Sequence, residues 1–105
     1  VQSDKVLVCI GMVGRTDQIG LRKNKVELKD SFINVNEFMQ TNIPNIYAIG
    51  DVSGPPLLAH VASFEGITAV EHIDGSNPEP MDYGNIPNCT YTKPETKSTS
   101  QSVSL

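Results

Sequence analysis

Two short apolar runs, each stopped by a glycine, constrain this chain more than any other feature. Lys5 to Ile10 reads KVLVCI and closes on Gly11; Ile46 to Ile49 reads IYAI and closes on Gly50-Asp51. A strand with one wet face alternates apolar and polar side chains. An unbroken Val/Ile-rich run is instead buried on both faces and belongs to a parallel sheet. The second run leads through Pro55-Pro56 into a helical pattern. Leu58, Val61, Ala62, Ala69, Val70 and Ile73 share its face, Glu65 and Glu71 lie off it, and Gly75 is the stop. Pro56 suits the first helical turn, where a missing N–H costs nothing. Gly66 inside the helix predicts close packing against another element. This order of strand, loop and helix predicts an α/β fold.

Elsewhere the pattern is looser. Residues 11–25 read as a polar, glycine-bearing loop with a turn of helix near Gln18 to Leu21. Val26 to Lys29 and Phe32 to Val35 are short extended stretches joined by a turn at Lys29-Asp30-Ser31, and Thr41 to Pro44 is a bend. Ser76 to Pro80, with two prolines, is a linker, and Tyr83 to Thr92 holds one more strand. The last ten residues, TKSTSQSVSL, have little to bury and predict disorder. The chain opens on Val rather than Met, directly into an apolar run, and reads as part of a longer polypeptide.

Charge distribution excludes one class of partner. Residues 36–90 carry seven carboxylates and no Lys or Arg, within a chain of net charge −4, so a nucleic-acid partner is excluded. No apolar run approaches the ~18 residues that span a bilayer, which gives no membrane partner. Cys9 and Cys89 belong to no C-x-x-C or C-x-x-x-x-C pair. Cys9, inside an apolar run, reads as a small buried hydrophobe, and Cys89 as packing. His60 and His72 have no ligand cluster around them, so no metal is expected.

The chemistry points to residues 46–60. In open α/β sheets ligands bind beyond the carboxyl ends of strands. Gly50 lets a ligand approach the backbone, Asp51 presents a carboxylate, and the following helix start supplies unpaired N–H groups at its positive end. Such a pair suits a polyol-bearing cofactor. Asp51 as a mere cap of the turn and helix is an equal reading of the same residues.

TNIPNIYAIGDV, residues 41–52, resembles the second FAD-binding motif of the flavin-dependent pyridine-nucleotide disulfide oxidoreductases. The continuation LLAHVASFEG is similar to the dihydrolipoyl dehydrogenase branch of that family. VLVCIG resembles the strand and glycine that close the family's NAD domain, and MDYGNIPNCTYTKPE the entry into its dimer-interface domain. The resemblance covers residues 5–95. Met12 and Gly14 stand where the family has Arg and Pro.

The resemblance implies a partial FAD/NAD(P)-binding Rossmann-like fold with the start of an α+β dimerisation domain. Residues 1–11 would end the NAD-binding domain, 12–75 form a returning segment of the FAD-binding domain, and 76–105 open the interface domain. Asp51, after Gly50, would bond the ribityl chain of FAD. Leu57, Leu58, Ala59 and His60 would bring backbone N–H groups to the flavin, with the His60 side chain a structural hydrogen-bonder rather than a base. Gly11 would lie against NAD. The implied activity is FAD-dependent oxidation of dihydrolipoyl groups with NAD+ as acceptor. The lipoyl-bearing E2 component of 2-oxoacid dehydrogenase complexes would be the partner, the parent a homodimer, and the setting a bacterial cytoplasm or mitochondrial matrix. The family's redox C-x-x-x-x-C, its Gly-x-Gly-x-x-Gly turn and its His-Glu acid/base pair are not among these residues, so no catalytic residue is expected here. A non-enzymatic α/β binding module and another flavin disulfide reductase are the rival readings.

Overall fold

The hairpin expected between residues 26 and 35 forms, with shorter strands. In a computed structural model describing residues 2–90, 93–94 and 96–99, β1 (Leu28–Lys29) pairs antiparallel with β2 (Phe32–Ile33), in register Leu28 to Ile33 and Lys29 to Phe32. Asp30 and Ser31 between them both have positive φ, 50° and 74°, as a type I′ hairpin turn requires. Val26 and Ile33 bury their side chains with Ala48, and Leu21, Val35, Ile43, Ile46 and Val52 pack around them. Residues 17–25 form consecutive turns rather than a turn of helix, tied by the Val26 amide donating to the Leu21 carbonyl at 3.1 Å.

The two apolar runs behave differently from the expectation. Residues 5–10 are not a strand, and Val6 and Leu7 are 80% and 88% exposed. Cys9 is exposed as well. A parallel strand needs hydrogen-bonding neighbours on its edges, and the described residues bring none to this segment. Residues 46–49 also stop short of a strand. They make only an isolated antiparallel bridge, Tyr47 to Gln40, yet Ala48 is buried in the core. Burial without a ladder explains why an apolar run alone overstates strand content.

The chain then enters a 3-10 turn, Gly50–Ser53, and the helix α1, Ala59–Asp74. Leu58 is the residue before the helix, so Pro56 lies outside the first turn and not within it. Gly75 ends α1 in the left-handed region (φ 83°). The Gly75 amide donates to the His72 carbonyl and the Ser76 amide to that of Glu71, at 3.2 and 2.9 Å, a Schellman closure. Gly66 sits against Ile49: a Cβ there would stand 3.4 Å from the Ile49 Cδ1, the close packing its position predicts.

The buried face of α1 is Val61, Glu65, Thr68 and Ala69. Glu65 is thus inside and not off the face, whereas Val70 and Ile73 are exposed. Beyond the linker, a 3-10 turn at Tyr83–Asn85 precedes β3 (Pro87–Thr90), which pairs antiparallel with β4 (Thr96–Thr99). Residues 96–99 therefore form a strand where composition predicted disorder; Thr96 and Thr99 are of a type that favours a pleated backbone. The remainder of that expectation, residues 100–105, lies outside the described residues.

Candidate functional site

Gly50 takes φ 73°, a left-handed conformation that glycine adopts without the cost a side chain would bring. This bends the chain out of the extended Ile49 (φ −133°, ψ 161°) into the 3-10 turn. Asp51 is the first-turn acid of that turn and is exposed. The turn closes on itself through Ser53 Oγ, which donates to the Gly50 carbonyl at 2.7 Å.

The turn leans on the first turn of α1. A Cβ at Gly50 would meet the Ala62 Cβ at 3.4 Å. No side chain caps α1: Leu58 offers none, and its amide is engaged by the Pro56 carbonyl at 3.0 Å. The amides of Ala59, His60 and Val61 are the ones a helix leaves without intrahelical acceptors. Among the described residues they have none from elsewhere. Leu57 and Leu58 are half-buried, and Ala59 and His60 are exposed. His60 borders a 230 Å³ hollow with Phe64, Met81 and Asp82, and its side chain makes no hydrogen bond to another described residue. The structure thus sets the Gly50–Ser53 turn, which carries the exposed Asp51, against α1 near its uncapped end.

Gly11 lies apart from this cluster. It has φ 85° and open space on its Cβ side. Gly14, in contrast, is packed: its amide donates to Ser31 Oγ at 3.0 Å, and a Cβ would collide with the Ser31 carbonyl. The departure at position 14 is therefore tied to the hairpin turn of this chain.

Glu65 is the residue that sequence reasoning missed. It is 2% exposed, and each carboxylate oxygen accepts one hydrogen bond. Oε2 takes the Gly50 amide at 2.6 Å, and Oε1 the Tyr83 hydroxyl at 2.8 Å. Partial burial, then the bond to Glu65 and then its negative charge, push the Tyr83 hydroxyl well above the usual tyrosine range. The signal was spacing: Glu65 stands four residues from both Val61 and Ala69, on the stripe they bury.

Residues 1–66 match the family described as pyridine nucleotide-disulphide oxidoreductase. The chain belongs to that family. Its similar relatives include a dihydrolipoyl dehydrogenase of Bacillus subtilis, 48% identical over 96 residues, which are 91% of this chain and 20% of the relative. One of Chlamydia pneumoniae is 50% identical over 93 residues, 88% of this chain and 20% of the relative. A mitochondrial one of Canis lupus familiaris is 47% identical over 96 residues, 90% of this chain and 19% of the relative. Among solved structures, LpdA from Mycobacterium tuberculosis superposes with a TM-score of 0.78 at 30% identity, covering 86% of this chain and 20% of that one. The chain spans about a fifth of the length of the relatives it matches. Membership supports the α/β, nucleotide-binding fold class, to which the described residues contribute short antiparallel strands and α1. No described helix is long and apolar enough to cross a membrane.

Proposed function

We propose that this chain supplies a flavin-binding segment of a dihydrolipoyl dehydrogenase, in which FAD carries electrons from dihydrolipoyl groups to NAD+. The observation that supports the reading is the packing of the Gly50–Ser53 turn, which carries the exposed Asp51, against α1, whose start is uncapped, in a chain close in sequence to named dihydrolipoyl dehydrogenases. The donor set fits the group. A carboxylate accepts hydrogen bonds from the ribityl hydroxyls, and free amides at a helix N-terminus suit the electron-rich pyrimidine edge of the ring.

FAD, when bound, supplies the redox chemistry. Asp51 orients its polyol chain, and Gly50 allows the backbone approach. The amides of Ala59 and His60, beside Leu57 and Leu58, would favour negative charge on a bound flavin ring. Gly11, in its open left-handed conformation, would let the nicotinamide nucleotide approach the backbone. In this reading residues 1–11 end the NAD-binding domain, 12–75 return to the FAD-binding domain and 76–105 enter a dimer-interface domain. The parent is a homodimer that meets the lipoyl-bearing E2 component of 2-oxoacid dehydrogenase complexes. Bacterial and mitochondrial relatives favour a bacterial cytoplasm or a mitochondrial matrix.

The test is Asp51→Ala in the complete flavoenzyme containing this segment. Loss of charge-assisted bonds worth roughly 1.5–3 kcal/mol predicts a ~10–100-fold weaker FAD affinity with the apoprotein fold retained. A cap-only Asp51 would instead lose about 1 kcal/mol of stability and keep its flavin.

A further inference from the structure

We infer that Glu65 is a positioning residue for the flavin site, locking the Gly50–Asp51 turn to α1, with Tyr83 holding the lock in place. The inference rests on the flavin reading of Asp51. A carboxylate buried in mid-helix is costly unless both its oxygens are satisfied. No Lys or Arg occurs between residues 30 and 92, and no described cation pairs with Glu65. An apolar side chain of similar volume would fill the same space without that cost. What the carboxylate adds is direction: it accepts the amide of the one residue, Gly50, whose left-handed turn sets where Asp51 points.

Three neighbouring helix positions grip the same two residues. Ala62 abuts Gly50, Glu65 bonds it, and Gly66 receives Ile49. Helix α1 begins three residues before Ala62. These contacts therefore hold the backbone that carries Asp51 against the helix, and a cofactor that bridges the Asp51 carboxylate and the free helix amides would be sensitive to that spacing. Tyr83 donates to the remaining oxygen at 2.8 Å from beyond the linker, so Glu65 cannot swing away without leaving a buried acceptor unpaired.

The experiment uses the complete holoenzyme, with FAD dissociation constants, the visible circular dichroism of the bound flavin and thermal unfolding recorded for each variant. Glu65→Ala is expected to weaken FAD about tenfold and to change the flavin dichroism, as when a buried donor loses its acceptor. Glu65→Gln keeps one oxygen for Gly50 and offers its NH2 to Tyr83, which turns to accept; it is expected to restore affinity to within about threefold. Tyr83→Phe, which keeps the ring packing and folds if Glu65→Ala does not, is expected to weaken FAD about threefold. Asp51→Ala with Glu65→Ala together should be little weaker than Asp51→Ala alone, because Glu65 acts through Asp51. Wild-type affinity and dichroism in Tyr83→Phe and Glu65→Ala, or losses at 51 and 65 that simply multiply, overturn the inference while the flavin reading stands. Wild-type affinity in Asp51→Ala overturns the flavin reading itself.

Discussion

The Tyr83 hydroxyl donates to Glu65 Oε1 at 2.8 Å across eighteen residues of sequence. It is a bond by which the segment after the linker reaches the middle of α1. Because Glu65 also holds the Gly50 amide, a single carboxylate joins three separate stretches of chain.

That bond makes stability sensitive to alkali. The Tyr83 hydroxyl is raised above its usual value by partial burial first, then by the hydrogen bond and charge of Glu65. A group raised in the folded state contributes its full share of stability below its unfolded value of about 10, and loses it as pH climbs further. Urea midpoints taken from about pH 8 to about pH 12 should fall above pH 10 in the native sequence. In Tyr83→Phe that alkaline fall should be shallower, and equal slopes would refute the assignment.

A second cluster should matter for folding only. Tyr47 Oη lies 2.8 Å from His72 Nδ1 and accepts from Gln40 Nε2 at 3.2 Å, while the His72 ring stacks on Phe38 with centroids 4.8 Å apart. Tyr47→Phe is expected to lower unfolding free energy by about 1 kcal/mol. FAD affinity in the complete enzyme should not change; a tenfold drop there would mean the cluster shapes the cofactor site.

The two N-terminal glycines should separate on substitution. Gly14→Ala forces a methyl group into the Ser31 carbonyl and is expected to cost about 2 kcal/mol. Gly11→Ala meets no neighbour and suffers only its left-handed backbone, about 1 kcal/mol. Chemical denaturation of both variants checks the order, and a larger loss at Gly11 would contradict it.

The 105 residues by themselves should neither oxidise dihydrolipoamide nor bind FAD tightly. They contain no C-x-x-x-x-C for the disulfide and no Gly-x-Gly-x-x-Gly to cradle a pyrophosphate. Part of the contacts must then offset the full loss of rigid-body freedom. Equilibrium dialysis finding submicromolar FAD affinity, or NADH formed by the cofactor-supplemented chain, would show that the segment is self-sufficient.

Local rules were legible where the structure is locally determined. The turn at Asp30-Ser31, the stop at Gly75 and the close approach at Gly66 each follow from one or two residues, and each forms. The runs at 5–10 and 46–49 were not, because strand formation depends on partner edges that no single stretch encodes. Glu65 was misplaced for a related reason. A charged side chain normally marks the wet face of a helix, and only its acceptors' donors, Gly50 and Tyr83, make burial tolerable. The Gly50-Asp51 turn was visible from sequence, but its buttress was not.

The left-handed glycine that ends α1 also sets a limit on reach. From Asp74 back to Glu65 is nine helical residues, about 14 Å along the axis. The eight steps from Gly75 to Tyr83 can extend to about 29 Å at most. The chain must double back beside the helix with roughly 15 Å of length beyond the axial distance for its sideways path. Residues added between Ser76 and Pro80 would take up room at the surface and cost little. Removing four of them would leave about 14 Å at most, the axial distance alone, so the Tyr83–Glu65 bond would be strained or lost.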